Sequence, residues 1–437
     1  MIYLLFILLV LLLILSFYIN NKEFASPAFA FVGSFTFSCF WAALYAKKWD
    51  LNLNFNTFFI ILFGAIIFVF ISYITRKKYN KSNKESTEDE LKYINIKKYK
   101  KILFLIFILL MTIISIYYTV KSVDGNFTNI RTTLYKYRNY TAFQGKDVNI
   151  PFFVSATMGL IHCSAYWFLY VTINNYLVNR KIDYLSLIIS IVCGLTNLIE
   201  GNRGGILNFL VSIVPIYLLL KMRTKEKNIK INIKGVIIVC VIATALLFGL
   251  KLSAQLIGRD DVKKINTMDY IAMYSGAEIK NLDLFLQEKH ENPNFLGINT
   301  FNSLMKPISK IGGFYEYFEK NTDVGTFRKI NGYNLGNVYT IYYSFITDFG
   351  YFGFIPLIIL MSLVIQIIYE NSKYKIYKME SPNIYILIYG FIFGGLIFCF
   401  FGNKLINQAI SISFVQYVIA WYVLNYIFVK LEVKNKN

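Results

Sequence analysis

Arg203 stands out among the charged residues of this sequence because glycines flank it, in the run Glu200-Gly-Asn-Arg-Gly-Gly205. The run separates two apolar stretches, so Arg203, Gly204 and Gly205 fall at the start of the second stretch. Glycine lets a ligand approach the backbone closely, and free amides at a helix start beside a guanidinium suit a phosphate group. The pattern predicts an anion site; a structural Glu200–Arg203 ion pair is the alternative.

Asp348 is the first candidate for acid–base chemistry. It lies in the apolar stretch 336–368, which as one helix would be about 50 Å long, too long for a single membrane crossing. Gly350, Gly353 and Pro356 can break that helix. We therefore expect an interfacial or re-entrant piece over 336–349, followed by a true span. A carboxylate at the break either accepts a proton during catalysis or caps the broken helix.

Three segments between apolar stretches hold more polar residues than a turn requires. They are the glycine-flanked run around Arg203, the segment 121–150 with Arg131, and the segment 251–335. The last carries eleven basic and ten acidic residues, among them Glu278. Loops of this length are usually functional or disordered. Apolar and polar residues alternate within 251–335, so we expect amphipathic helices on the outer face; a packed cap without chemistry is the alternative.

The elements that position these residues are membrane spans. Hydrophobic residues make up 56% of the 437 residues and charged residues 16%, with a mean hydropathy of +0.49. That is too much apolar surface for a water-soluble core, and lipid offers backbone amides no partner outside a helix. We predict an all-α polytopic membrane protein, a single integral membrane domain over 1–437 with about 11 transmembrane helices. The predicted spans are 2–19, 27–46, 57–75, 102–120, 152–178, 184–199, 205–220, 236–250, 336–368, 384–401 and 409–429.

The basic residues set the orientation of these spans. Segment 76–101 carries ten Lys and Arg residues and segment 221–235 carries six. Both fall on one side when the spans alternate, and that side is cytoplasmic by the positive-inside rule. The segments 121–150 and 251–335 are then external. Most of the net charge of +20 reflects topology and attraction to anionic membrane lipids, so we expect no nucleic-acid partner.

The sequence contains no pattern typical of a metal or cofactor site. The five cysteines all lie in predicted spans and indicate neither a disulfide framework nor a metal cluster; they are Cys39, Cys163, Cys193, Cys240 and Cys399. Spaced Asp-x-Asp, HExxH, CxxC and Walker-type patterns do not occur in external segments. We expect no metal and no cofactor.

Five short motifs, in order along the chain, carry a resemblance to a known family. They are Phe24-Ala-Ser-Pro27; Glu200-Gly-Asn-Arg-Gly-Gly205; Tyr274-Ser-Gly-Ala277 with Asp283; Gly297-Ile-Asn-Thr-Phe301 with Lys310-Ile-Gly312; and Gly336-Asn-Val-Tyr-Thr340 with Asp348-Phe-Gly350. With them the chain resembles the Wzy-type oligosaccharide repeat-unit polymerases of O-antigen and capsular polysaccharide. Asn202 stands where the family usually has Ser, and Glu278 stands where it often has Pro.

The resemblance implies a GT-C-like membrane glycosyltransferase in the bacterial cytoplasmic (inner) membrane. Its substrates would be undecaprenyl-diphosphate-linked oligosaccharides, with the growing chain transferred onto an incoming lipid-linked unit at the external face. Flippase and chain-length regulator proteins are the implied partners. Arg203 matches the family's Gly-x-Arg-Gly arginine, and Arg131 matches another family arginine more loosely.

The chemistry of this transfer suggests roles for the other candidates. Positive charge and amides at Arg203, Gly204 and Gly205 would stabilise the departing diphosphate, with Asn337 and Tyr339 also binding substrate. A carboxylate would accept the proton of the attacking hydroxyl, Asp348 first and then Glu200 and Glu278. A lipid-linked oligosaccharide flippase or other transporter is the rival class, although the sequence lacks the paired repeats of many transporters. An O-antigen-ligase-like glycan transferase is the second rival.

Overall fold

The computed structural model describes residues 1–82, 91–142, 148–224, 249, 251–252, 254–255, 260–288, 297–323, 325–374 and 380–430. Its helices up to residue 221 are α1 (Ile2–Ile19), α2 (Pro27–Leu44), α3 (Phe55–Ser82), α4 (Lys98–Ser122), α5 (Ile130–Ala142), α6 (Phe152–Asn179), α7 (Tyr184–Leu195) and α8 (Arg203–Lys221). Further along are α9 (Thr267–Ser275), α10 (Ala277–Gln287), α11 (Asn302–Ile311), α12 (Tyr315–Asn321), α13 (Ile341–Phe349), α14 (Phe354–Tyr374), α15 (Ile384–Ile397), α16 (Lys404–Ala409) and α17 (Ile412–Asn425).

Eight helices in the described residues are long and apolar enough to cross a membrane. They are Ile2–Ile19, Pro27–Leu44, Phe55–Tyr79, Lys98–Ser122, Phe152–Asn179, Arg203–Lys221, Phe354–Lys373 and Ile412–Val429. Shorter apolar helices cover the predicted spans 184–199 and 384–401. The predicted span 236–250 lies, except for Gly249, outside the described residues. The chain is thus a helical, multi-pass membrane protein, and the total of 11 spans stays a prediction.

The predicted break in the ninth apolar stretch is confirmed. Helix α13 ends at Phe349, and Gly350 follows with φ +75°, a backbone conformation that glycine adopts without strain. Gly353 packs so tightly on Phe349 that an added Cβ would lie 2.7 Å from the Phe349 carbonyl oxygen. Helix α14 then begins at Phe354. A sharp turn therefore separates the C-terminus of α13 from the N-terminus of α14.

A short β-hairpin interrupts the predicted all-helical fold. Strands β1 (Arg328–Ile330) and β2 (Tyr333–Gly336) pair antiparallel across Asn331-Gly332. Both turn residues have positive φ, +49° and +80°, as a type I′ hairpin turn requires, and Asn-Gly is its preferred sequence. The ninth apolar stretch consequently becomes helical only at Ile341, because its first residue, Gly336, is the last of β2.

The chain divides into two compact units. The first comprises Met1–Glu85, Met268–Tyr374 and Ile392–Phe414, and the second comprises Ser86–Thr267, Lys375–Phe391 and Val415–Asn437. In the first unit Phe31 and Phe68 stack with ring centroids 4.3 Å apart between α2 and α3. In the second, the Trp421 indole donates to the Cys163 carbonyl at 2.9 Å and so joins α17 to α6. The expectation of one membrane-embedded domain stays a prediction.

Segments predicted to be cytoplasmic lie together in the first unit. Glu23, in the turn after α1, accepts from Arg76 at 3.2 Å and from Lys373 at 2.9 Å, at the ends of α3 and α14. Arg76 is only 3% exposed, so this ion pair is protected from water. The three segments belong to one membrane face in the alternating topology, which this cluster supports.

The second unit joins its predicted cytoplasmic segments in a similar way. Lys101, at the start of α4, pairs with Asp183 in the turn before α7. Asn175, near the end of α6, bonds both the amide and the carbonyl of Ile94 at 2.9 and 3.0 Å. Part of the basic segment 76–101 is thus fixed against α6, as the alternation of spans requires.

Candidate functional site

The Arg203 run forms the turn between α7 and α8 in the second unit. Asn202 is the N-cap of α8, and its Oδ1 accepts from the Gly205 amide at 3.0 Å. Arg203 therefore occupies the first helical position, where the amide dipoles favour an anion. The amide of Gly205 is already used by the cap, so it is a less direct phosphate donor than the sequence suggested. Gly204 is exposed.

Packing explains why Gly205 and Gly201 are glycines. A Cβ at Gly205 would lie 2.1 Å from Asn197 Oδ1, a distance that no side chain can occupy. Gly201 has φ +63°, and a Cβ there would lie 3.1 Å from the Cβ of Arg138. The Asn202 amide also donates to the Asn197 carbonyl at 3.1 Å. These contacts make a tight, fixed turn, which positions Arg203 at the helix start.

Arg138 is a functional candidate that the sequence reasoning missed. Its Nη1 donates to the Gly201 carbonyl at 2.6 Å, and its aliphatic stem packs on the same glycine. Arg138 lies seven residues after the exposed Arg131 on α5, so both arginines project from the same side of that helix. The spacing of seven within a helical segment was the available signal. Half-buried Glu200, half-buried Arg203 and these two arginines all belong to the second unit.

Asp348 is buried in the first unit with its lone pairs engaged. Its side chain is 0% exposed. Oδ1 accepts from the amide and the side-chain Nδ2 of Asn299 at 3.2 and 2.8 Å, and Oδ2 accepts from the Thr300 amide at 2.6 Å. The carboxylate therefore anchors the 297–300 loop to α13. Three donors hold the side chain in place, an arrangement suited to a structural role.

Tyr339 and Asn337 lie in the segment that enters α13. Tyr339 stacks on Tyr343 with ring centroids 4.3 Å apart, and its hydroxyl receives Arg328 Nε at 3.0 Å. Arg328 in turn pairs with both oxygens of Glu288 at 2.7 Å. Asn337 is half-buried beside Gly325, whose added Cβ would lie 2.9 Å from the Asn337 carbonyl oxygen. These contacts stiffen this part of the first unit; the binding role of both residues stays a prediction.

Glu278 is the buried carboxyl with unused lone pairs. It is 0% exposed on α10, and neither side-chain oxygen has a hydrogen-bond partner. Burial raises its pKa well above the ordinary value of glutamate. A buried polar group left without a partner costs about 1–3 kcal/mol, and more when it is charged. Such a group needs an explanation, and a functional site is the usual one.

The other buried polar residues of α10 make Glu278 the exception on its helix. Lys280 donates to the Asp50 carbonyl at 2.7 Å, and Asn281 donates to the carbonyls of Leu335 and Val338 at 3.1 and 2.8 Å. Asp283 accepts from the Asn54 amide and the Thr57 hydroxyl at 2.8 and 2.7 Å. The helix is therefore fixed by polar contacts along its length while Glu278 is held without one.

Several segments of the first unit meet around the start of α10. Gly276 presses on α2 so closely that a Cβ would lie 2.6 Å from the Ala42 amide nitrogen. Tyr274, just before, stacks on Phe401 with ring centroids 5.8 Å apart. Glycine at 276 is thus required for the start of α10 to approach α2 so closely, and Glu278 follows two residues later.

The predicted site residues fall into two groups. The second unit contains Glu200, Arg203, Gly204, Gly205 and Arg131, whereas the first contains Glu278, Asn337, Tyr339 and Asp348. Among the described residues, no cluster of three or more His, Cys, Asp or Glu side chains could hold a metal ion. The group in the second unit combines guanidinium side chains with the positive end of a helix. The group in the first unit combines a buried carboxyl with other polar side chains.

The comparisons with known proteins identify the family. No curated protein and no solved structure matches the chain. The family model described as O-antigen polysaccharide polymerase Wzy matches residues 1–275. The matched region includes the Arg203 turn and ends three residues before Glu278. Because the match covers more than half of the 437 residues, the chain belongs to the O-antigen polysaccharide polymerase Wzy family.

Proposed function

We propose that this protein is a GT-C-like membrane glycosyltransferase that polymerises undecaprenyl-diphosphate-linked repeat units into O-antigen or capsule. The growing chain passes from its lipid carrier to the non-reducing sugar of an incoming lipid-linked unit, at the external face of the bacterial inner membrane. Family membership supports the polymerase class. The positive charge at the start of α8 supports a diphosphate donor.

The bond changes of this transfer define what the protein must supply. An oxygen of the acceptor sugar attacks the anomeric carbon of the donor chain and forms the new glycosidic bond. The bond from that carbon to the diphosphate oxygen breaks, and the diphosphate leaves with the electron pair. The acceptor hydroxyl proton passes to a base. The protein must therefore stabilise negative charge on one side and accept a proton on the other.

Arg203 is the residue best suited to the departing diphosphate. Its guanidinium can bind two phosphate oxygens at once, which a lysine ammonium cannot do. The dipole of α8 adds positive potential at the same place. Arg138, through the Gly201 carbonyl, holds the turn on which Arg203 sits, and Arg131 extends the basic surface of α5. Preorganised positive charge of this kind acts mainly on the transition state.

The burial of the Glu278 carboxyl without hydrogen-bond partners is the observation that supports the acid–base part of the proposal. Both of its oxygens are buried and unpartnered, so an entering hydroxyl would meet no competing hydrogen-bond donor from the protein. A carboxyl whose pKa is raised toward the working pH is the more effective general base. Asp348 and Glu200 are the alternatives; Glu278 combines a raised pKa with free lone pairs, which catalysis favours.

The proposed partners follow from the substrate and the charge pattern. Lipid-linked units must be delivered by a flippase, and a chain-length regulator would act on the growing product. The basic segment 76–101 would bind anionic lipids on the cytoplasmic side.

Reconstitution tests this function directly. The purified full-length protein, placed in lipid nanodiscs with a synthetic lipid-diphosphate repeat unit, should produce a ladder of lipid-linked oligomers. Glu278→Gln should bind the substrate and make no ladder, and Asp348→Asn serves as the matched variant for the other buried carboxyl. A ladder of wild-type length and rate from Glu278→Gln would exclude this residue as the base. The absence of a ladder from the wild type, with intact substrate binding, would argue against a polymerase.

A further inference from the structure

Two neighbouring polar groups on α2 are, like the carboxyl of Glu278, buried without a hydrogen-bond partner. Ser38 is 0% exposed, and its hydroxyl has no hydrogen-bond partner; the indole Nε1 of Trp41 is also buried without one. The two residues are three apart, so they lie on one face of the helix. Buried, unpaired donors on a helix inside a membrane protein are costly, and their presence together calls for a ligand.

On the same face of α2, the residues on either side of Ser38 and Trp41 do have hydrogen-bond partners. Tyr45, four residues after Trp41, donates to Asp269 at 2.8 Å. Ser34, four residues before Ser38, donates to the Phe31 carbonyl of its own helix at 2.8 Å. Of these four residues, the two in the middle, Ser38 and Trp41, are the ones whose polar side-chain atoms have no partner.

Contacts place this part of α2 at the start of α10. Trp41 packs against Tyr45, Trp49, Ala272, Ala277 and Leu335 in one hydrophobic cluster. An added Cβ at Gly276 would lie 2.9 Å from the Trp41 Cβ. Glu278 follows two residues later, so the unpaired groups of α2 and the unpaired carboxyl belong to adjoining segments.

Thr340 adds a third unpaired group, a second hydroxyl. Thr340 precedes α13 as its N-cap and is 1% exposed, and its hydroxyl makes no capping bond and no other hydrogen bond. The segment before it is fixed to α10, because Asn281 donates to the Val338 carbonyl at 2.8 Å. The amide oxygen of Asn281, Oδ1, likewise has no hydrogen-bond partner.

We propose that Ser38, Trp41 and Thr340 form a subsite for a neutral sugar ring, holding the acceptor sugar with its hydroxyl toward Glu278. The inference rests on the proposed polymerase function and names the ligand of its acceptor side. The unpaired set contains an indole donor, two hydroxyls that donate or accept, and an amide acceptor, which complements the hydroxyls of a sugar. None of these four groups is a cation, and Lys280 of α10 is turned to the Asp50 carbonyl; a diphosphate would find no positive partner among them.

Binding of two separate probes tests the subsite. The free repeat-unit oligosaccharide, released from the host polysaccharide and carrying neither lipid nor phosphate, represents the acceptor sugar. Undecaprenyl diphosphate represents the carrier. Calorimetry in nanodiscs should find the oligosaccharide bound about tenfold more weakly by Ser38→Ala and Trp41→Phe, the effect of losing one hydrogen bond to a well-fitted group. Affinity for undecaprenyl diphosphate should equal that of the wild type.

Ser34→Ala is the matched control, since it removes a hydroxyl one turn away that is already bonded within its helix. It should leave the affinity for both probes unchanged, and thermal melts check that every variant is folded. Equal oligosaccharide affinity in Ser38→Ala, Trp41→Phe and wild type would overturn the subsite, even if the wild type makes a ladder. Specific oligosaccharide binding that these variants weaken, in a protein that makes no ladder, would support the subsite and count against the polymerase function instead.

Discussion

Glu278 and Asp283 are two buried carboxyls on the same helix in opposite electrostatic situations. Asp283 accepts two hydrogen bonds from the start of α3, whereas Glu278 accepts none. Hydrogen bonds to a carboxylate stabilise its ionised form, and burial without them destabilises it. Replacing each residue by its amide should therefore change stability in opposite directions, which separates a structural carboxyl from a functional one.

Glu278→Gln should strongly slow chain extension without weakening the fold. The pKa of Glu278 is raised in the folded protein, so the stability it contributes is fully present below the pKa of unfolded glutamate and is lost as pH rises through the raised folded pKa. Glutamine does not ionise, so the Tm at neutral pH should equal or exceed that of wild type and depend less on pH. The extension rate should fall about 10²–10⁴-fold.

Asp283→Asn provides the matched control, with a lower Tm because an amide NH₂ replaces one of the two oxygens that together accept three hydrogen bonds, from Asn54, Thr57 and Gln287. In the wild type, the rate of extension should rise with pH as Glu278 ionises. A flat rate–pH profile, or a Glu278→Gln variant with lowered Tm and normal extension, would make this residue structural. Loss of extension in Asp348→Asn with unchanged substrate binding would then assign the base to Asp348.

Arg203→Ala should reduce polymerisation while leaving the amount of protein in the membrane unchanged. Loss of one preorganised donor to a developing charge typically costs about 10²–10³ in rate. Arg203→Lys should recover little, because an ammonium lacks the two-pronged geometry of guanidinium. Glycan chain length in cells and the ladder assay measure the effect. Wild-type chain length in Arg203→Ala at normal expression would remove Arg203 from the chemistry.

For the secondary-structure elements, local sequence patterns predicted much of the fold. Contacts between residues far apart in the sequence determined the rest. The break at Gly350 and the helix start at Arg203 follow from glycines and apolar length alone, and both were predicted. The hairpin at Asn331-Gly332 also had a local signal that went unused. The burial of α10 could not be predicted, because its polar residues find partners such as Asp50, some 230 residues away in sequence.

Gly276→Ala should disturb the packing of α10 on α2. The new Cβ would meet the Ala42 amide nitrogen at 2.6 Å, a backbone atom that cannot move without shifting α2. Overpacking of this kind costs about 1–3 kcal/mol, so Tm should fall, and extension should fall with it because Glu278 moves. Gly159→Ala, in α6 with nothing within 4 Å of the added Cβ, should leave both unchanged. A Gly276→Ala variant as stable and active as wild type would show that this approach is not needed.

At the scale of the whole molecule, composition and loop charge predicted a polytopic membrane protein, and the family assignment adds polymerisation. Deleting the gene should leave a cell that displays glycans of a single repeat unit, because units are still flipped and attached. Gel profiles of surface glycan report the outcome. A strain with no surface glycan would indicate a flippase, and one with long, unattached polymer would indicate a ligase.

Orientation in the membrane decides whether the candidate residues meet substrate on the external side. Lys320, exposed on α12, belongs to the predicted external segment 251–335, and Lys181, exposed between α6 and α7, lies on the predicted cytoplasmic side. In a background with all five cysteines replaced, Lys320→Cys should react with an impermeant maleimide on intact spheroplasts. Lys181→Cys should react only after the membrane is permeabilised. Both sites are exposed lysines in polar segments, so their intrinsic reactivity is comparable and the membrane alone separates them. The reverse pattern would put 251–335 in the cytoplasm and remove Glu278 from an external reaction.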